Sequence, residues 1–547
     1  MADVLSLPSE LSARVEAAAG IDAELRPSTR PQFGHYQTNV ALRLANTSGR
    51  PPREVAAELV GTIDAADLCE PLEVAGPGFI NLRIRSDVLA RVASEVLDDP
   101  NVGITQAELP QRVIVDYSSP NVAKQMHVGH LRSTIIGDCF TRVLRAQGHT
   151  VIPQNHIGDW GRQFGMLVEQ ILDEGLDASS LDLPGAEALY KRANARLGES
   201  EEFADRARER VVKLQAGDAE TRRIWQQLID VSLAGFNATY ARMNVLLTDA
   251  DLAGESTYNA DLPVVAADLA DRGIAVVDDG ALVVFVEGST APAIIRNAAG
   301  GYGYTCTDLA AIRHRVRDLQ VDRMIYVVGT PQEFHFSQVF AVARLAGYLP
   351  ETITAQHVGF GQVLGPDGKK FSTREGSAVT LNSLLDDAEQ HAAPAIALAA
   401  IKYADLSSGL QKDYSFDIER MVATTGDTGP YLQYAHARAN QILRKAEAEG
   451  FGYGLITVLG EPAEQNVALL LSRFGEVVDA VGETLQPHRL CGYLYDLAGA
   501  LSVFYEQCPV LKSEGEVRAS RLALCAATRT VLATGLGLLG IQAPERM

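Results

Sequence analysis

Arg112-Val113-Ile114-Val115 is an apolar run of strand length, and the chain changes period just beyond it. Over residues 131–147 apolar positions recur at helical spacing, Gly148 closes the segment, and Thr150-Val151-Ile152 reads as the next strand. The same succession returns later, with a strand over 324–328, a helix from about 335 to 346 and a strand over 356–360. Strands joined by crossover helices predict a parallel α/β sheet. A long, charged, helical stretch over about 200–244 reads as an insertion, after which Ala281-Leu282-Val283-Val284-Phe285-Val286 is expected to resume the sheet. Upstream, residues 1 to about 108 mix helical stretches with short strands. There the Gly/Pro turn Ala75-Gly76-Pro77-Gly78 leads into the alternating run 79–84, and the segments 98–101 and 108–110 read as a linker. From about Ser383 onward the pattern is almost wholly helical and predicts a bundle.

A chain of 547 residues exceeds one core, so several domains are expected. Hydrophobic and charged shares of 47% and 21% are those of a soluble globular protein. The formal charge of -21 argues against a nonspecific, salt-driven nucleic-acid binder. It leaves room for an RNA recognised through shape, stacking and a local basic stripe. Cysteines 69, 139, 306, 491, 508 and 525 have no Cys-x-x-Cys spacing and read as reduced core residues. No signal pattern and no membrane-length apolar run is evident, so a cytoplasmic protein is expected.

The most informative chemistry lies between the first strand and its helix, in Asp116-Tyr-Ser-Ser-Pro-Asn-Val-Ala-Lys-Gln-Met-His-Val-Gly-His130. Ligands of parallel sheets sit beyond the strand carboxyl ends, against helix N-termini. His127 and His130 are three apart at such an entrance, and Gly129 between them lets a flat ring approach the backbone. Two imidazoles there can donate to phosphate oxygens and stabilise charge that grows as a phosphoryl bond breaks. Metal ligation and plain capping are the alternatives. The zinc spacing His-Glu-x-x-His is absent, and His156-Ile157-Gly158 is followed by Asp159 where a second histidine would be needed. Far downstream, Leu364-Gly-Pro-Asp-Gly-Lys-Lys-Phe-Ser-Thr-Arg374 places cations on a Gly/Pro turn that could close over a polyphosphate.

The histidine turn and this basic loop together resemble the HIGH and KMSKS signatures of class I aminoacyl-tRNA synthetases. The lead-in 118–124 and the segments 154–161, 254–256, 304–308, 402–406, 429–435 and 544–547 are similar to those of the arginyl-tRNA synthetases, in one order along nearly the whole chain. The resemblance implies a Rossmann-type parallel-sheet catalytic domain over 109–385 and an N-terminal α+β domain over 1–108 that meets the tRNA elbow at the D-loop. It also implies a C-terminal all-α helix bundle over 386–547 that binds the anticodon. The implied activity is ATP-dependent ligation of L-arginine to its tRNA through arginyl-adenylate, with activation expected to need bound tRNA. His127, His130, Lys124 and Lys370 would be catalytic, with Gly129 and Ser372 also at ATP. Thr373 stands where the general loop carries its second lysine, and Lys124 occupies the place thought to supply the missing charge. Mg²⁺ is expected with ATP, and no structural metal.

A guanidinium ligand calls for planar, charge-assisted pairing with carboxylates. The resemblance gives that role to Asp116, Tyr304 and Asp308, with a contribution from Glu255. Ser119, Asn121 and Gln332 would orient the amino and carboxyl ends. Without the resemblance, Asp308 reads equally as a helix cap and Asp116 as a strand-end turn residue. For tRNA, Phe79 and Asn81 are expected at the elbow, and Tyr431 and Tyr434 at the anticodon. A monomer without membrane or DNA partners is expected. A class I synthetase for another amino acid is one alternative reading. Another is a non-catalytic synthetase-derived RNA-binding protein, although the histidines and lysines that such a relative would lose are all present. A small-molecule nucleotidyltransferase would leave the two flanking domains without a use.

Overall fold

The computed structural model describes residues 7–28, 33–365, 367–369 and 379–547. Four strands form the central sheet: β1 (Arg112–Asp116), β2 (Thr150–Gln154), β3 (Arg323–Val327) and β4 (Thr354–Val358). Their order is β4-β3-β1-β2, and every neighbouring pair is parallel. Val113, Ile114, Val115, Met324 and Ile325 are fully buried, which explains why these strands are apolar runs rather than alternations. Register sets Asp116 beside Tyr326 on one side and beside Gln154 on the other. After β1 the chain moves outward to β2, and β3 later fills β1's opposite side. The crevice between the β1 and β3 ends is therefore the topological switch point. Helices α1 (Val128–Ala146), α2 (Tyr304–Arg317) and α3 (Glu333–Leu345) border it.

One expectation is corrected here. Ala281–Val284 does not rejoin the parallel sheet but pairs antiparallel with Val276–Asp278 and Ala293–Arg296. The cause is local: Asp279 and Gly280 both take positive φ (46° and 77°), the two-residue hairpin turn that Asp-Gly favours. The helical insertion starts earlier than expected, as Leu183–Glu199, Glu201–Ala216 and Ala219–Arg242.

The N-terminal unit carries an antiparallel sheet in which Phe79–Leu82 lies between Tyr36–Thr38 and Glu73–Ala75. Its helix Ser86–Asp98 packs on Pro462–Leu471 and Gly515–Leu538 of the C-terminal bundle. No described helix is long and apolar enough to cross a membrane.

Two buried ion pairs fasten α1 to the bundle helix Pro394–Ser407. Arg132 meets Asp405 at 3.4 Å, and Lys402 lies 3.7 Å from Asp138. The Arg132 guanidinium also donates to the Lys412 carbonyl (2.9 Å), and the Tyr414 hydroxyl donates to Asp405 (3.1 Å). Burial holds the Asp405 carboxyl above its ordinary range even though Arg132 opposes that shift. Removing one member leaves the other charge buried alone, which costs about 3 kcal/mol or more. Asp405→Asn is accordingly expected to lower the free energy of unfolding by roughly that amount, read as a lower urea midpoint at unchanged slope. A denaturation curve overlaying the parent's would contradict it.

Candidate active site

The loop from Tyr117 to Met126 is backbone-strained, with Ser118, Ser119 and Ala123 at φ of 74°, 48° and 60°. Such left-handed positions cost L-residues roughly 1 kcal/mol each and persist where contacts over-determine them. Those contacts are present. The Ser118 amide donates to Ser133 Oγ (2.9 Å), the Ser119 amide to Asn155 Oδ1 (3.1 Å) and the Ala123 amide to Ser232 Oγ (2.9 Å). Tyr240 Oη bonds Ser118 Oγ (2.7 Å) and accepts from Asn155 Nδ2 (3.0 Å).

His127 is the N-cap of α1, and the two histidines close a capping box. The Gly129 amide donates to His127 Nδ1 (3.0 Å), and the His127 amide donates to His130 Nδ1 (3.1 Å). An Nδ1 that accepts a hydrogen bond leaves the proton of a neutral imidazole on Nε2, so each ring is a donor at Nε2. The rings lie 4.0 Å apart, tilted by 44°. A Cβ on Gly129 would come within 2.7 Å of the His127 ring. The flat ring that this glycine admits is thus the neighbouring histidine's own. Burial, with His127 beside it, pushes the His130 imidazole down to about 3, so it is neutral at physiological pH and acts as a donor rather than an acid. Capping, an alternative to the phosphate reading, proves to be the device that orients both donors.

The basic loop begins after Val363–Leu364, which pairs with Tyr414–Ser415. Lys370, Ser372 and Thr373 lie outside the described residues. The chain re-enters at Val379, where the Val128 amide donates to the Val379 carbonyl (2.9 Å) and the Leu381 amide to the Met126 carbonyl (2.8 Å). The loop's far end is therefore hydrogen-bonded alongside His127. Lys124 is half-buried, its ammonium 4.2 Å from the centre of the Tyr190 ring on the insertion helix. It is a docked cation.

Across the crevice stands a group of carboxylates. Asp308 lies within α2, which starts at Tyr304, so it is no helix cap. Its Oδ2 is 2.5 Å from His335 Nε2 on α3. Glu255 sits in a turn held against Ile157, its amide donating to that carbonyl (3.2 Å). Burial, with Asp159 and Asp308 nearby, pushes the Glu255 carboxyl up to about 7.

Asp116 already has partners within the chain. Its Oδ2 accepts from the fully buried Arg315 (2.6 Å) and its Oδ1 from the Ser119 hydroxyl (3.4 Å), while Arg315 Nε also donates to Gln154 (2.7 Å). An internal guanidinium thus already occupies the carboxylate expected to grip a ligand. Arg315 lies seven residues, two helical turns, beyond Asp308 on α2. That spacing is the sequence signal that could have shown it. His335 and Asp159 carried no such signal, because their partners come from distant segments.

The remaining candidates scatter by exposure. Tyr304 is 75% exposed at the start of α2, and Gln332 and Asn121 are exposed at the crevice rim. Phe79 is half-buried, whereas Asn81 is buried with its Oδ1 accepting from Gln37 (2.7 Å). The Asn81 amide oxygen is thus engaged within the sheet. Tyr431 is half-buried, its ring 5.6 Å from that of Tyr495. Tyr434 is 40% exposed, with the Arg438 guanidinium 4.8 Å from its ring centre and 5.4 Å from that of Tyr505.

A family model described as the catalytic domain of class I tRNA synthetases (R) matches residues 92–396. The arginyl tRNA synthetase N-terminal domain matches 6–84, and the DALR anticodon binding domain matches 432–547. The arginine–tRNA ligase of Cutibacterium acnes is 66% identical over 99% of this chain and 100% of its own length. That of Thermobifida fusca is 48% identical over 98% and 99%. The crystal structure of arginyl-tRNA synthetase from Plasmodium falciparum superposes with a TM-score of 0.85 at 26% identity, covering 99% of each chain.

Proposed function

The chain belongs to the arginyl-tRNA synthetases of class I, and on that premise we propose how its side chains divide the reaction. It ligates arginine to tRNA, consuming ATP. The arginine carboxylate attacks the α-phosphorus, the bond to pyrophosphate breaks, and a hydroxyl of the terminal ribose of the tRNA then attacks the arginyl carbonyl of the adenylate, releasing AMP. Catalysis of this kind rests on positioning and on stabilising developing charge. His127 and His130 donate from Nε2 to phosphate oxygens, with Gly129 giving the first ring its place. Lys124, Lys370 and Ser372 hold the polyphosphate, whose remaining charge a bound Mg²⁺ would offset. Asp308 and Glu255 take the guanidinium beneath Tyr304. Ser119, Asn121 and Gln332 orient the α-amino and carboxyl groups. Asp116 acts through Arg315, whose pairing fixes the floor of the pocket.

The observation that carries this division is the crevice itself. Imidazole donors at the α1 N-terminus face it from β1, and Asp308 of α2 and Glu255, the latter pushed up to about 7, face it from the other side. For the nucleic acid, we assign residues 1–108 to the tRNA elbow and 386–547 to the anticodon, with 109–385 catalytic. Phe79 supplies a stacking face at the elbow, with Asn81 and Gln37 behind it. Tyr434, Arg438 and Tyr505 present the exposed aromatic and cationic surface of the bundle, and Tyr431 supports it from beneath. The protein works as a cytoplasmic monomer.

Lys124 gives the test. Thr373 cannot neutralise a phosphate, so Lys124→Met is expected to depress tRNA-supported pyrophosphate exchange by about tenfold or more. Adding Thr373→Lys to that background should restore part of the rate, because residues sharing one role are non-additive. A silent Lys124→Met, or two changes whose effects simply multiply, would remove Lys124 from the phosphate site.

A further inference from the structure

The segment Gln154-Asn155-His156-Ile157-Gly158-Asp159-Trp160-Gly161 stands out in the sequence, yet the division of labour above uses none of it directly. In the structure it prolongs β2 past the sheet and becomes the bed of the Glu255 turn. The Asn155 amide donates to the Asp251 carbonyl (2.8 Å), the Ala253 amide to the Asn155 carbonyl (3.1 Å) and the Glu255 amide to the Ile157 carbonyl (3.2 Å). Asp159 finishes the seam with its side chain. Its Oδ1 accepts from the Ser256 amide (2.8 Å) and its Oδ2 from the Ser256 hydroxyl (2.6 Å). A Cβ on Gly254 would collide with this carboxylate, so the turn can close on Asp159 only because residue 254 is glycine. Asp159 is itself held: it is 6% exposed, and its carbonyl accepts from Trp225 Nε1 (2.9 Å).

Glu255 is thus bracketed on both sides in sequence, Gly254 packing on Asp159 and Ser256 bonding to it. We propose that Asp159 is the positioning residue of the guanidinium pocket, fixing the turn that aims Glu255. The proposal rests on the reading that Glu255 and Asp308 receive the substrate guanidinium. A rigid turn keeps the Glu255 carboxyl in place without ligand, so binding need not order it. The charged and titratable groups around Glu255 are Asp159 from the β2 extension, Asp308 from α2 with His335 of α3 on it, and His156 beside Asp159. The two carboxylates and burial all favour the protonated form of Glu255. An arriving guanidinium favours the ionised form. Arginine capture therefore strengthens as pH rises through about 7, the region where Glu255 titrates.

Three variants in the full-length enzyme with tRNA separate the possibilities: Asp159→Asn, Ser256→Ala and Glu255→Gln, each checked by circular dichroism and melting. Asp159→Asn is expected to raise the KM for arginine about tenfold while the KM for ATP stays within about twofold. It should also move the acid limb of kcat/KM for arginine to lower pH, because Glu255 loses a negative neighbour. Ser256→Ala removes one bond but keeps the charge, so it should raise that KM by a smaller factor and leave the limb in place. A purely structural role would not move the acid limb. If Glu255→Gln raises the arginine KM while Asp159→Asn and Ser256→Ala leave both KM and acid limb unchanged, the positioning role is overturned. If Asp159→Asn does not fold, Ser256→Ala decides alone: an unchanged arginine KM overturns the proposal. If Glu255→Gln leaves the arginine KM unchanged, the guanidinium reading falls and the positioning role falls with it.

Discussion

A His130→Ala enzyme folds and binds both small substrates, but it forms adenylate about a hundred- to a thousand-fold more slowly, the usual cost of losing one preorganised donor to developing charge. The expectation follows from the capping geometry. With Nδ1 bonded to the His127 amide, the proton sits on Nε2 and points away from the helix backbone. That donor bonds most strongly once charge has grown on the phosphate oxygens, so kcat falls while the KM for ATP changes little. Stability should drop by about 1 kcal/mol, the worth of one cap interaction. The pH profile supplies a second check. His130 is pushed down to about 3 by burial and by His127, so its titration cannot produce a limb near neutrality, whereas Glu255 at about 7 can. Single-turnover adenylate formation within about threefold of the parent would show that His130 only caps α1.

Asp308→Asn is expected to raise the arginine KM by about 30- to 5,000-fold with ATP use nearly unchanged, the range for removing one member of a hydrogen-bonded charge pair. Asp308 has one oxygen engaged by His335 Nε2 at 2.5 Å. This contact orients the carboxylate and leaves its second oxygen to meet the ligand. The asparagine keeps the shape and loses the charge, and its amide nitrogen presents a donor toward a substrate that offers only donors. Measuring KM for arginine and for ATP in the same exchange assay separates the two sites. Equal changes in both would make Asp308 a general structural residue of α2.

The part of this site that lies within single segments was legible in the sequence. The apolar runs of β1 and β3 and the histidine pair at a helix entrance are encoded locally, whereas Lys370, Ser372 and Thr373 of the basic loop lie outside the described residues. Period and turn chemistry report such features directly. The three-stranded antiparallel sheet was missed because Leu282-Val283-Val284 looks the same whether its neighbours run parallel or antiparallel. Only the Asp279-Gly280 turn told the difference. Other residues were hidden for a different reason. Arg315 neutralises Asp116 from 199 residues away, His335 reaches Asp308 across two helices, and Asp159 bonds Ser256 from 97 residues upstream. Each is an ordinary residue locally, and its role exists only in the folded arrangement. The burial of Asn81 beside Gln37 is of the same kind, a pairing across strands 44 residues apart.

The central claim is that paired carboxylates at the crevice choose the substrate by its guanidinium. Citrulline tests it most directly, because it keeps arginine's length and replaces a charged nitrogen with a neutral carbonyl oxygen. Pyrophosphate exchange with saturating ATP and tRNA should give a kcat/KM for citrulline about 10⁴-fold or more below that for arginine, since Asp308 and Glu255 would face an acceptor instead of a donor. Exchange supported by citrulline within about tenfold of arginine would contradict the account.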